Sequence, residues 1–148
     1  MSVDPANLDD PVKLRNLMVN AIRLGREDIA FQCQTRIAEL HGQQFNAGID
    51  REFWTAIVAA EEIVTARNKR TTRLARTRQK IRRVGVLETV ADLARNEGVS
   101  AGFNILVGGG RSDLTAEAIV LRHAELFDAE TLENATRKLR EAGALPNG

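Results

Sequence analysis

The sequence predicts an all-α protein: a compact multi-helix domain with an N-terminal helical hairpin and a C-terminal helical bundle. Apolar residues recur at three- and four-residue spacing along most of the chain, which is the period of a helix with one buried face. Leu, Ile, Val and Ala dominate the apolar residues, which make up 43% of the chain and suffice for a core. The only strand candidate is ILV at 105–107, and three residues are too short for a convincing strand.

The predicted hairpin begins at Asp10 and Pro11. Asp accepts the free amide hydrogens of a helix start, and Pro needs no donor at the first helical position. Gly25 is expected to end this first helix in a left-handed conformation. A second helix at 26–40 then runs antiparallel to the first, and Gly42 ends it.

A third helix is predicted from Asp50 to residue 66. Trp54 is expected to be the hub against which the hairpin packs, because a large ring buries the most area. Glu61 and Glu62 diverge by about 100° around this helix, so they are not arranged to share a metal ion or a proton. We therefore expect this acidic pair to form a solvated edge.

The C-terminal half is predicted to begin with a basic helix that Thr72 caps and that starts at Arg73. Val84-Gly85-Val86 should break it before another helix at 87–96. A basic helix, a Gly-centred turn and a second helix together have the outline of a helix-turn-helix. Three more helices are expected, capped by Ser100, by Ser112 or Thr115, and by Asp128; Gly108–Gly110 is interpreted as a flexible turn in preference to a phosphate-cradling loop.

We expect four parts along the chain. Residues 1–9 form a flexible arm, and 10–66 form an N-terminal three-helix subdomain. Residues 67–143 form the basic helix-turn-helix-like and C-terminal helical subdomain, and 144–148 are a tail.

Positive charge is concentrated in residues 67–83, hereafter the basic segment. It holds nine Lys or Arg and no Asp or Glu. The whole chain has a net charge of +1, so the other residues carry −8, the difference between +1 and +9. Duplex DNA bears one charge per about 1.7 Å of its axis, and Lys and Arg displace its condensed counterions. The basic segment therefore predicts nucleic-acid binding, with DNA as the expected form.

The contacts are expected from the basic helix and the loop before it, because Glu88 and Asp92 of the following helix repel phosphates. Leu74 and Ile81 would dock the basic helix by a thin apolar seam, leaving a stripe of cations to face water. That stripe consists of Arg73, Arg76, Lys80 and Arg83. The predicted nucleic-acid-binding residues are Arg67, Lys69, Arg70, Thr72, Arg73, Arg76, Arg78, Gln79, Lys80, Arg82 and Arg83.

Two other functions stay open. The basic segment could be a solvated or partner-docking face, which would make the protein a helical adaptor or a self-associating homo-oligomer. An enzyme is disfavoured, because no catalytic triad spacing, metal cluster or cofactor loop is present, so we expect no catalytic residue, metal or cofactor. If catalysis existed, His123 with Glu117 or Glu125 would be the first suspects. The lone Cys33 is expected in the core.

The location expected from the sequence is the cytoplasm of a bacterium, with no membrane partner. The first eleven residues, MSVDPANLDDP, lack the basic and apolar parts of a signal peptide. No apolar run approaches the length of a membrane span.

Two stretches carry a resemblance, NKRTTRLARTRQKIRRVGVLET and GFNILVGGGRSDLTAEAIVLRHAELF. They resemble a group of small uncharacterised bacterial proteins that share an RTRQK-then-Gly core, and the likeness covers roughly residues 10–143. The resemblance implies one shared architecture and no particular activity, cofactor or site residue.

Overall fold

The computed structural model describes residues 4–45 and 48–145, and within them every regular element is helical, as the all-α prediction requires. Residues 1–3 of the predicted arm and 146–148 of the predicted tail lie outside the described residues. The helices are α1 (Pro11–Arg23), α2 (Glu27–Gly42), α3 (Ile49–Asn68), α4 (Ala75–Arg95), α5 (Ala101–Gly108), α6 (Ala116–Arg122) and α7 (Ala129–Glu141).

The N-terminal hairpin forms as predicted. The Asp10 side chain accepts a hydrogen bond from the Val12 amide at 2.9 Å, and Gly25 ends α1 with a φ of 74°. Leu14 and Cys33 are fully buried in the core between α1 and α2. Cys33 is therefore a buried core residue, as predicted, and not an exposed reactive thiol.

Residues 4–9 differ from the loose arm that the sequence suggests. A short 3-10 turn at Pro5–Asn7 packs on α2, and Pro5 is buried. The Arg36 guanidinium of α2 donates to the Leu8 carbonyl at 3.0 Å and to Asp9 at 2.5 Å. Backbone and side-chain acceptors in this segment thus fix it to the hairpin.

The larger core joins α3 to α4 and α6. Phe53 and Ile57 of α3 pack in the same cluster as Val90 of α4 and Ile119 of α6. This core crosses the predicted boundary at 66/67, so the division into two subdomains stays a prediction. Trp54 is half-buried at the edge of the cluster rather than at its centre.

Helix α4 bends sharply at Gly85, as predicted. Gly85 has φ 90° and ψ 170°, which divides α4 into a first arm at 75–84 and a second arm at 86–95. Lys80 of the first arm forms an ion pair with Asp92 of the second. Twelve residues span about 18 Å along a straight helix, more than these two side chains can bridge, so the bend is what brings them together.

The second arm is held by a buried ion pair that the sequence did not reveal. Lys138 of α7 donates to the Leu93 carbonyl of α4 at 2.9 Å and lies 3.1 Å from the Glu117 carboxylate of α6. Lys138 and Glu117 are only 2% and 3% exposed. Asn134 adds a hydrogen bond to the Arg95 carbonyl at 3.0 Å, so α6 and α7 fix the end of α4.

Over the ranges 4–45 and 48–145, none of the helices combines the length and the apolarity that crossing a lipid bilayer would need.

Candidate nucleic-acid interface

The basic segment covers the end of α3, a short loop and the first arm of α4. Helix α3 continues two residues further than predicted and ends at Asn68, and the next residue, Lys69, has a left-handed φ of 58°. Thr72 does not cap the next helix. Its amide donates to the Thr65 hydroxyl at 2.9 Å, and that hydroxyl donates to the Thr72 carbonyl at 3.2 Å. Thr72 therefore ties the loop back to α3.

Glu61 of α3 takes the place of the missing cap. Helix α4 begins at Ala75, and its preceding residue, Leu74, donates its amide hydrogen to the Glu61 carboxylate at 2.8 Å. Arg78 donates two forked hydrogen bonds to the same carboxylate, each at 2.7 Å, and Arg73 donates one at 3.3 Å. A carboxylate from a neighbouring helix thus satisfies the start of α4.

The prediction of a solvated Glu61 and Glu62 edge is wrong for Glu61. Its residue surface is 2% exposed, because the start of α4 packs over it. Glu62 is half-buried and forms a forked ion pair with Arg15 of α1, at 2.7 and 3.0 Å. The two neighbouring carboxylates therefore bind different helices.

Glu61 is ionised in spite of its burial. Burial alone would raise the pKa of this carboxyl, but the hydrogen bonds from Arg78 and from the Leu74 amide outweigh it and lower the pKa below its ordinary value. The Arg78 guanidinium also lies 5.2 Å from the centroid of the Trp54 ring, and Trp54 stacks on Phe45. Arg78 is accordingly a packing residue of the protein.

Lys80 is the third cation with an internal partner. It pairs with Asp92 across the bend, and Arg95 contacts the same carboxylate. Hydrogen bonds from Lys80 and Arg95 lower the pKa of Asp92. Asp92, which the sequence suggested would repel phosphates, therefore pairs with two cations of the protein.

The remaining six cations of the basic segment face solvent. Each is exposed and has no carboxylate within 4.0 Å among residues 4–45 and 48–145. We call them the open cations: Arg67, Lys69, Arg70, Arg76, Arg82 and Arg83.

The predicted stripe is corrected in two of its four members. Arg73 precedes the helix and contacts Glu61, although its side chain is still 62% exposed, and Lys80 contacts Asp92. Arg76 and Arg83 lie seven residues apart on one face of the first arm, where the exposed Gln79 falls between them. The predicted nucleic-acid-binding surface is therefore reduced to the loop before α4 and this face of the first arm.

A second polar cluster links α3 to α6. The His123 ring contacts Glu52, and Arg122 donates to the same carboxylate at 2.5 Å. Burial tends to raise the pKa of Glu52, but these two hydrogen bonds lower it overall. The predicted alternative of His123 with Glu117 or Glu125 does not form among the described residues, because His123 contacts Glu52 and Glu117 is paired with Lys138.

Within the described parts of the chain, no three His, Cys, Asp or Glu side chains converge as a metal site would require.

No protein-family model, curated protein or solved structure matches this chain. The resemblance to small bacterial proteins therefore stays a prediction.

Proposed function

We propose that the protein binds nucleic acid, with DNA as the expected form, through the six open cations. The proposal rests on one difference between these six cations and the other three of the basic segment. Arg73, Arg78 and Lys80 have carboxylate partners, while the open cations are exposed and have none among the described residues. Unneutralised cations within one short segment suit a polyanion, whose counterions they displace on binding.

The residue types also favour phosphate and base edges. Five of the six open cations are arginine, and a guanidinium can donate two parallel hydrogen bonds to a phosphate or to guanine. Gln79 is exposed on the same arm and supplies a neutral amide. A surface that is only solvated would not require these particular hydrogen-bond donors.

The fold supports contacts from the loop and first arm rather than from the second arm. Lys138 and Asn134 hold the second arm against α7, and Glu88 on that arm is exposed and acidic. A helix-turn-helix in the strict sense would use its second helix for recognition. We propose instead that the first arm, the end of α3 at Arg67 and the loop that follows contact the nucleic-acid backbone.

Binding to a fluorescent DNA duplex, measured by anisotropy, tests the proposal. Replacing Arg76, Arg82 and Arg83 with Ala should weaken binding more than about tenfold, because three phosphate contacts are lost. The matched control replaces Lys13, Arg23 and Arg140 with Ala. These three are also exposed and have no ion pair among the described residues, so the control removes the same charge from outside the basic segment.

The control should keep its affinity within about threefold of the parent, reflecting only the change in net charge. Equal losses in the two triple variants would reject a localised interface. Equal affinity of the parent and the Arg76, Arg82 and Arg83 variant would reject the proposal.

A second candidate is self-association through opposite charges. Glu125, Glu130 and Glu133 are exposed on the C-terminal part of the chain, and no described residue forms an ion pair with them. They could accept the basic segment of another copy. Size-exclusion chromatography without nucleic acid separates the two candidates, since a charge-driven assembly dissociates as salt rises, whereas our proposal predicts the same elution volume at low and high salt.

A further inference from the structure

An open groove of about 730 Å³ lies beside the start of the basic segment. Helices α2, α3 and α5 form its walls, and the end of α1 closes one side. Its volume is within the range of about 300–1,000 Å³ that small-molecule sites occupy. Arg67, the first open cation, belongs to its lining.

Gln34 gives the groove an unused polar group. The residue is 5% exposed and lines the groove, and its side chain takes part in none of the hydrogen bonds among residues 4–45 and 48–145. Every fully buried side-chain nitrogen or oxygen in these residues has a partner, so the Gln34 amide must reach the open space beside it. A primary amide offers two donors and one acceptor oxygen. An amide that is open to the groove can therefore donate to and accept from a polar ligand there.

The part of the wall that Phe31 and α5 form is apolar or uncharged. Phe31 forms part of the wall, and its ring lies so close to Gly109 that a Cβ at position 109 would be 2.1 Å from the ring carbons. Gly110 follows with a φ of 84° and ends α5. The Gly108–Gly110 turn thus admits the Phe31 ring, and Asn104 contributes a second amide to the same groove.

Charge differs between the two sides of the groove. Arg67 is an open cation, whereas Glu27 and Asp28 lie at the start of α2, where Asp28 is paired with Arg26. A ligand with a phosphate is therefore favoured with that phosphate near Arg67 and its uncharged part near Gln34. The lining suits a planar polar ring that carries both donors and acceptors.

We propose that this groove accepts an unpaired nucleobase from a strand whose backbone lies on the open cations. The inference rests on the proposed nucleic-acid binding and specifies it further. A Gln amide can hydrogen-bond two adjacent groups on a base edge, as it does with adenine. Unpaired bases are also bound by contact of their faces with aromatic or apolar side chains, which Phe31 and Ile105 provide here.

The test compares a short single strand of deoxyadenosines with an abasic strand of the same length. The two strands carry the same phosphate charge, so a difference in affinity reports base recognition. The parent protein should bind the adenosine strand at least about fivefold more tightly, since base contacts are worth 1 kcal/mol or more each. Gln34→Leu should remove most of that preference and leave binding to the abasic strand unchanged.

Gln43→Leu is the matched control, because Gln43 is exposed and lies outside the groove lining. Asn104→Leu is a second groove variant, for use if Gln34→Leu destabilises the protein. Because Asn104 is exposed, this substitution should leave the fold intact. It should reduce the preference for the adenosine strand as well.

The two proposals fail in different ways. If the parent binds both strands equally, or if both groove variants keep the full preference, the groove inference is wrong and nucleic-acid binding stands. If the parent binds neither strand nor a duplex, the proposed function fails and the inference fails with it.

Discussion

The Arg78 guanidinium of α4 donates both of its 2.7 Å hydrogen bonds to the buried carboxylate of Glu61 in α3. This pair attaches the first arm to the rest of the protein. Two residues earlier along the same helix, Arg76 faces solvent with no carboxylate partner in the described chain. The basic segment therefore contains two kinds of cation: those that hold the fold and those that are open to an external anion.

Removing the Glu61 charge should destabilise the protein. Glu61→Gln leaves Arg78 without a full partner and weakens the bond to the Leu74 amide, so we expect a loss of about 1–3 kcal/mol in the free energy of unfolding. The neighbouring Glu62→Gln is the control. Its partner Arg15 has a side chain that is 51% exposed, and such surface pairs contribute less than about 1 kcal/mol. Urea unfolding of both variants measures the difference, and equal losses would contradict a special role for Glu61.

The contribution of Glu61 should depend on pH. Its pKa in the folded protein lies below the ordinary value of 4.5, so the unfolded chain takes up the proton first as the pH falls. The stabilisation is therefore fully present above pH 4.5 and is lost as the pH falls through the folded pKa. Urea unfolding of the parent and of Glu61→Gln at pH values from about 6 to about 3 should show their stabilities converging at low pH. A gap that stays constant over this range would show that the charge is not the cause.

Any other residue at the Gly85 bend should destabilise the protein. Its φ of 90° and ψ of 170° lie in a region that is almost restricted to glycine, where a side chain adds about 1–3 kcal/mol of strain. No described atom would lie within 4 Å of a Cβ at this position, so the loss in Gly85→Ala measures backbone strain alone. Gly98→Ala is the control, because Gly98 has equally open surroundings and no left-handed φ. It should be neutral or slightly stabilising, and a similar loss in both variants would argue against strain at the bend.

The buried Lys138 and Glu117 pair should behave as one unit. Lys138→Met leaves the Glu117 carboxylate buried without its partner, and we expect a loss of about 3–5 kcal/mol. The double variant with Glu117→Leu removes both charges and should recover more than half of that loss. Thermal and urea unfolding of the single and double variants provide the comparison. A double variant that is less stable than Lys138→Met would mean that packing, not the unpaired charge, dominates.

Local rules predicted most of the fold. The Asp10 cap, the left-handed Gly25 and the break at Gly85 each depend on a few adjacent residues, so the sequence contains the necessary information. The start of α4 was predicted two residues too early, because Thr72 was expected to be the cap. A threonine can bind a neighbouring helix as well as its own, and only the folded chain shows that it binds Thr65.

The number of cations in the basic segment did not indicate which of them have carboxylate partners. Nine cations without an acidic neighbour in sequence suggest one open surface, yet Glu61 lies 17 residues before Arg78 and reaches it only after α3 and α4 pack. One signal was present. Arg78 is four residues after Leu74 and three before Ile81, so it lies on the same face of the helix as these two apolar residues. It was therefore the cation best placed to contact the rest of the protein. The same spacing leaves Arg76 and Arg83 on the opposite side.

The salt dependence of duplex binding tests the central claim most directly. For duplex DNA, the slope of log affinity against log salt falls by about 0.9 for each phosphate contact that is lost. The Arg76, Arg82 and Arg83 triple alanine variant should therefore show a slope smaller than the parent's by up to about 2.7, with an unchanged urea midpoint, while the Lys13, Arg23 and Arg140 control keeps the parent slope. An unchanged slope in the first variant, or the same decrease in the control, would contradict the assignment of binding to the open cations.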